Sequence, residues 1–288
     1  MPLKRRRRSA VTDCVPKSRS RGMDGPHHQG GLSLVELMIA LVLSSFLVLG
    51  ITQVYLDNRH SYLFQQGQLQ NQENRRFVSM FLQQELGKAG YRRSPAIQDM
   101  DAAFSETSGG IVKGCSFPPG RAVQYVDRSA ICIRYQPRDK WDRDCLGNRA
   151  PNLAELAEPY TGTRFVFVEK LYLGSAGDLR CASAQGDEAL VDGLVDLVFQ
   201  VAVASAAQPR QVSSYISSAL EDGQSVVGVG YRVLLRSSGK GLRDAVSKTT
   251  AVADWKLLTG VEATGVPGDS GQLYLVGQGT VMLRNLMP

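Results

Sequence analysis

From Leu32 to Leu56 the sequence reads LSLVELMIALVLSSFLVLGITQVYL, twenty-five residues with one charged side chain, Glu36. A helix crosses a hydrocarbon core of roughly 30 Å with about 20 apolar residues, so this stretch predicts a membrane span. Upstream, residues 1–31 hold eight basic side chains (Lys4, Arg5, Arg6, Arg7, Arg8, Lys17, Arg19, Arg21) and two acidic ones (Asp13, Asp24). That excess accounts for the whole net charge of +6, and the remainder of the chain is electroneutral. The sequence pI near 9.1 therefore describes a leader, and no nucleic-acid partner is expected from it. A basic flank before a span predicts a cytoplasmic N-terminus with the rest of the chain outside. An apolar share of 43% excludes a disordered tail.

A secretory signal peptide also starts basic and turns apolar, but its apolar region is short and a small-x-small site follows it. Here DNRHSYLFQQ follows Leu56, and the small residues Gly30 and Gly31 stand in front of the run. Cleavage is expected ahead of the apolar segment, which keeps that segment in the mature chain. Glu36 then matters chemically. An ionised carboxylate inside a membrane segment is costly unless partnered, so it marks function. Its natural partner is the α-amine of Leu32, of this or a neighbouring subunit, created only by cleavage; the alternative is a carboxylate resting at the headgroup boundary.

The stretch GGLSLVELMIAL, Gly30 to Leu41, resembles the processing site of type IV prepilins and type II secretion pseudopilins. Glycine ends the leader and glutamate stands fifth after it. The resemblance implies that a prepilin peptidase cuts between Gly31 and Leu32 and methylates the amine of Leu32, and that Glu36 sets helix register during assembly. Leu32 departs from the family's usual phenylalanine. LQQELGKAGYRR (Leu82 to Arg93), DCLGN (Asp144 to Asn148), the run ending in Cys181 and VMLRN (Val281 to Asn285) are similar to the PilW family of minor pilins. That implies an α+β, type IV pilin-like fold: a long N-terminal helix, transmembrane in its first half, packed on an antiparallel sheet head with long loops. It also implies a minor pilin that primes pilus assembly and sits near the tip. Its partners would be prepilin peptidase, other minor pilins and the major pilin through the N-terminal helix, and the inner-membrane assembly machinery. A type II secretion pseudopilin and a tip adhesin are the alternatives.

Helical signals continue beyond the span. Residues 57–91 lack proline, and Phe77 to Phe81 and Val78 to Leu82 to Leu86 are spaced by four, which suits an amphipathic helix. One nearly continuous helix from Leu32 to Lys88 would be about 85 Å long at roughly 1.5 Å per residue. Gly50 and Gly67 are either bend points or places of close approach. From residue 92 to 288 short alternating runs predict strands at Ala122–Val126, Ala130–Tyr135, Arg164–Leu173, Val195–Val203, Val226–Leu235, Leu273–Val276 and Thr280–Leu283. Leu190 to Phe199 is ambiguous with helix. Ser205–Gly223 and Gly260–Gly271 read as long loops.

Loss of the leader removes Cys14 and leaves Cys115, Cys132, Cys145 and Cys181 in a domain expected outside the cytoplasm. Four cysteines allow three pairings. Cys145 with Cys181 and Cys115 with Cys132 is the favoured set, with zinc as the runner-up although no CxxC pair is present. The mature chain keeps one histidine, His60, so histidine-dependent catalysis finds no base. Gly268 to Gly271 (GDSG) and Ser238 to Gly241 (SGKG) read as polar turns for that reason and for want of phosphate-loop spacing. Asp139, Asp142 and Asp144 lack EF-hand spacing and read as a solvated turn, with calcium as the alternative. No enzyme activity, cofactor or metal is expected.

Overall fold

In the computed structural model, helix α1 runs from Leu34 to Lys88 without interruption. The described residues are 31, 33–107, 110–151, 154–158, 160–221, 223–243, 250–263, 266 and 270–287. Residues 1–30, Leu32, Gly268 and Asp269 therefore lie outside them. The chain divides into one unit ending at Val54 and a second beginning at Tyr55. In the first, every described residue is exposed, and the helix is long and apolar enough at its start to cross a membrane.

In the second unit α1 delivers Val78, Leu82 and Leu86, all fully buried, into the principal core. Their spacing of four puts them on one helical stripe. Gly67 settles as a point of close approach, since a Cβ there would lie 2.8 Å from Leu242 Cδ1 and 3.3 Å from Leu273 Cδ1. A Cβ at Gly50 meets nothing within 4 Å. The helix ends where Gly90 turns to φ +73° and donates its N–H to the Arg134 carbonyl at 2.9 Å. A left-handed glycine is a common helix stop because other residues resist that conformation.

The helix packs on antiparallel β-sheets. The first follows the order β1 (Val123–Asp127), β2 (Ala130–Tyr135), β3 (Phe167–Leu173), β4 (Asp178–Ser183) and β5 (Gly186–Asp192). The second has the order β7 (Ser214–Ile216), β6 (Leu194–Ala204), β8 (Ser225–Arg236) and β9 (Tyr274–Met282). A short helix α2 (Met100–Ala103) precedes β1, and α3 (Thr250–Thr259) lies between β8 and β9. Ile131, Ile133 and Leu171 from the first sheet and Leu197, Phe199, Val229 and Val233 from the second meet the α1 stripe in one core.

Several sequence expectations change here. The single sheet is two. The ambiguous stretch from Leu190 to Phe199 is strand, broken by Gly193 at φ +85°. β6 is buried on both faces, by the core on one and by Val195 and Val198 against Trp255 of α3 on the other. The strands expected at Leu273–Val276 and Thr280–Leu283 form one strand, β9. Its central glycines are there for proximity: a Cβ at Gly277 would come 2.9 Å from Arg75 Cγ on α1 and from Val233 Cγ1, and one at Gly279 would strike the Tyr231 hydroxyl. The hairpin β4–β5, strand β7 inside the expected loop Ser205–Gly223, and α3 were not foreseen. β5 is an exposed edge strand, so it has no apolar alternation to read.

Candidate functional site

Two places carry chemistry. The first is the amino-terminal stretch. Gly31 is exposed, with free space where a side chain would be, and stands three residues before α1 begins. Ser33 opens the helix, its carbonyl accepting the Leu37 N–H at 3.1 Å. Glu36 is exposed in the first turn, where a carboxylate is favoured by the positive end of the helix dipole. Leu32, expected to carry the methylated amine, lies outside the described residues.

The second is the cysteine-bearing part of the head. Of the three possible pairings, the structure contains Cys115–Cys132 and Cys145–Cys181, with Cα separations of 5.8 and 6.4 Å. Cys115 and Cys132 fasten the loop before β1 onto β2; Cys145 and Cys181 fasten the loop after β2 onto β4. Cys145, Cys181 and Glu169 come together closely enough to suggest metal ligation. Both sulfurs are spent in the disulfide, though, and zinc binding wants thiolates.

The acidic turn is not the solvated one expected. Asp142 and Asp144 are buried. Asp139 Oδ1 accepts the N–H groups of Trp141 at 2.7 Å and Asp142 at 2.9 Å. Asp142 pairs with Arg138 at 3.0 Å, which outweighs its burial and holds its carboxyl below the usual range. Asp144 Oδ1 accepts from Leu146 at 3.0 Å and Asn148 at 2.7 Å. These carboxylates build the turn that presents Cys145 and are already engaged by the chain's own donors. Ser238 and Gly241 of the SGKG run likewise serve the fold: Ser238 Oγ donates to Gln70 Oε1 at 2.8 Å, and the Gly241 N–H donates to the Ser270 carbonyl at 2.7 Å.

Behind that turn lies a group that the sequence reading missed. Glu85 on α1 and Glu169 on β3 are buried carboxyls at the seam between helix and first sheet. Burial drives both upward, Glu169 to about 8, with the Glu85 charge adding to the effect on Glu169. Tyr135 on β2 donates its hydroxyl to Glu169 Oε1 at 2.6 Å, and burial beside that carboxyl raises the phenol. Lys88 donates to Glu85 Oε2 at 2.6 Å. The signal was present in both patterns. Glu85 follows Val78 by seven positions, on the core stripe of α1, and Glu169 alternates with Phe167 and Leu171 on the inward face of β3. A charge repeatedly placed on a core face is a buried polar network in waiting.

Arg134 was missed for the same reason. It is 1% exposed within an otherwise apolar strand and donates to the carbonyls of Ser105 at 2.6 Å and Pro118 at 2.9 Å, flanked by the rings of Phe104 and Phe117. Desolvation lowers its guanidinium to about 10. It gathers the irregular segment before β1 around itself, since an N–H fork can serve several carbonyls at once.

Comparison with known proteins bears on the first place. The family model for the prokaryotic N-terminal methylation motif matches residues 26–52, which take in Gly31, Leu32 and Glu36. The amino-terminal segment is prepilin-like. A type IV-like pilin from Thermus thermophilus is a structural neighbour, aligning over 75% of this chain and 98% of its own at 14% identity and a TM-score of 0.40. No curated protein sequence matches the chain. The prepilin-like motif implies processing by a prepilin peptidase and pilus-type partners, and with the apolar helix it is consistent with membrane anchoring. A pilin or pseudopilin role follows at that level.

Proposed function

We propose that this chain is a minor pilin of a type IV pilus. The observation that carries the reading is the methylation motif laid across the Gly31–Leu32 junction and Glu36. Residues 1–31 are a cytoplasmic leader, 32–56 a single inner-membrane span that later joins the filament core, 57–91 the amphipathic half of the helix, and 92–288 a periplasmic head. Prepilin peptidase removes the leader after Gly31 and methylates the amine of Leu32. That amine, now cationic, meets Glu36 of a neighbouring subunit, which fixes the axial register of one helix against the next and lowers the penalty of a carboxylate in hydrocarbon. The resemblance of Leu82–Arg93, Asp144–Asn148 and Val281–Asn285 to PilW-like minor pilins supports a place in the complex that primes assembly and stays near the tip.

N-terminal mass analysis of the protein from membranes tests the processing. The expected product begins at methylated Leu32, and Gly31→Ala is expected to retain the leader; normal maturation of that variant would refute the cleavage site. A deletion strain tests the system. Loss of surface pili is expected, and loss of exoprotein release with pili intact would reassign the chain to a secretion pseudopilus.

A further inference from the structure

The last turn of α1 enters the head carrying Glu85 and Lys88. Facing them are Tyr135 on β2, Glu169 on β3, and Arg138, Asp142 and Arg143 in the loop after β2. Glu85 is 3% exposed and Glu169 fully buried. Lys88 Nζ donates to Glu85 Oε2 at 2.6 Å and to the Arg143 carbonyl at 3.1 Å, and lies 3.5 Å from the Tyr135 hydroxyl. Glu169 Oε1 accepts from Tyr135 at 2.6 Å and from the Cys145 N–H at 2.9 Å. Its other oxygen, Oε2, finds no N–H or hydroxyl donor among the described residues. Lys88 and the Tyr135 hydroxyl join the two carboxyls into one buried network, Glu85 Oε2 through the ammonium and Glu169 Oε1 through the phenol.

Charge counting then constrains the protonation. Two buried carboxyls face one ammonium, because Arg138 is engaged with Asp142 at 3.0 Å and the Arg143 guanidinium donates to the Gly147 carbonyl. A second negative charge in that space would be uncompensated, and two adjacent carboxylates resolve such a conflict by sharing a proton.

We propose that Glu85 and Glu169 hold one proton between them, and that this shared proton clamps the last turn of α1 onto the first sheet and releases it when the surroundings turn alkaline. The same proton supplies the donor that Glu169 Oε2 otherwise lacks. Exchange with solvent does not require the head to unfold. A cleft of about 240 Å³, lined by Gln84, Lys88, Tyr91, Tyr135, Arg138 and Asp142 among others, reaches the network from outside. The neighbouring tie, Asn285 Nδ2 donating to the carbonyls of Gly87 and Ala89 at 3.1 and 3.2 Å, contains no titrating group. It holds the turn near the head while the clamp opens, so the device changes how firmly α1 is seated without detaching it.

Amide hydrogen exchange on the full-length protein in detergent tests this, comparing peptides over residues 82–91 with peptides from β6 and β8 as internal reference. After correction for intrinsic base catalysis, protection of the turn relative to the reference is expected to fall roughly tenfold or more between about pH 6 and about pH 9. Glu169→Gln should hold protection at its low-pH level throughout, since the amide still accepts from Tyr135 and never ionises. Glu85→Gln should do the same. Constant protection in the wild-type chain would overturn the proposal, as would an unchanged pH dependence in both variants. Infrared difference spectra of the wild-type protein guard against variants that fail to fold. A protonated-carboxyl band present near neutrality and lost by about pH 9 is expected, and its absence near neutrality would also overturn the proposal.

Discussion

The two halves of α1 are continuous in backbone and opposite in logic. In the first half apolar side chains run all round the helix, and every described one is exposed. In the second half the sequence is largely polar, yet Val78, Leu82 and Leu86 are buried completely on one stripe. Each half also carries an acid where acids are expensive. Glu36 stands exposed in the first turn, and Glu85 is buried against the head. The difference teaches where the compensating partner must be sought. A uniformly apolar surface asks for lipid or other helices, and its carboxylate asks for a cation from outside the span. A one-sided stripe is satisfied within the chain, and its carboxyl finds Lys88 and Glu169 there.

Glu36→Leu breaks the comparison most severely. Pilus incorporation, scored by counting surface filaments, is expected to be lost, while the thermal unfolding of the head stays as in the parent. A matching loss of head stability would show that Glu36 serves the fold. Leu82→Ala comes next, because it leaves a cavity in the principal core. It should cost about 2–5 kcal/mol in denaturant unfolding, whereas Leu47→Ala in the exposed half should stay within about 0.5 kcal/mol in detergent. Equal effects would erase the distinction between the halves.

Opening Cys145–Cys181 by a paired Cys→Ser exchange is expected to cost roughly 2–4 kcal/mol, measured the same way, by freeing the loop that presents the Cys145 N–H to Glu169. The last comparison concerns pH and is read as a slope. Glu169 titrates near 8 in the folded head against an ordinary 4.5. The folded state therefore binds more protons than the unfolded state between those values. Stability falls as pH rises through that window, by up to about 1.4 kcal/mol per pH unit, and levels off above it. Unfolding free energies at several pH values should show that slope in the parent and a flatter one in Glu169→Gln.

Much of this was legible beforehand. The long apolar helix, its flanking charge and Glu36 are local and one-dimensional, as is the four-residue spacing in Val78, Leu82 and Leu86. The two-sheet division was not legible, because which strands pair is decided between residues far apart in the chain, as where Val233 of β8 lies opposite Leu197 of β6 and Gly277 of β9. The β4–β5 hairpin stayed hidden for a local reason: β5 is a mostly exposed edge strand whose apolar residues, Ala189, Leu190 and Val191, are consecutive and show no alternation. Gly277 and Gly279 looked like a strand break and are places where α1 and Tyr231 approach too closely for a side chain.

By itself, then, the sequence determined that an apolar helix with a single acid follows a basic segment and a glycine pair, since charge and hydropathy are properties of consecutive residues. Only the tertiary structure decided that Glu85, Lys88, Tyr135 and Glu169 form one network. They come from α1, β2 and β3, separated by up to 84 positions in the chain. Whether a carboxyl is ionised depends on the dielectric and the charges around it in space, and neither is written in the order of residues.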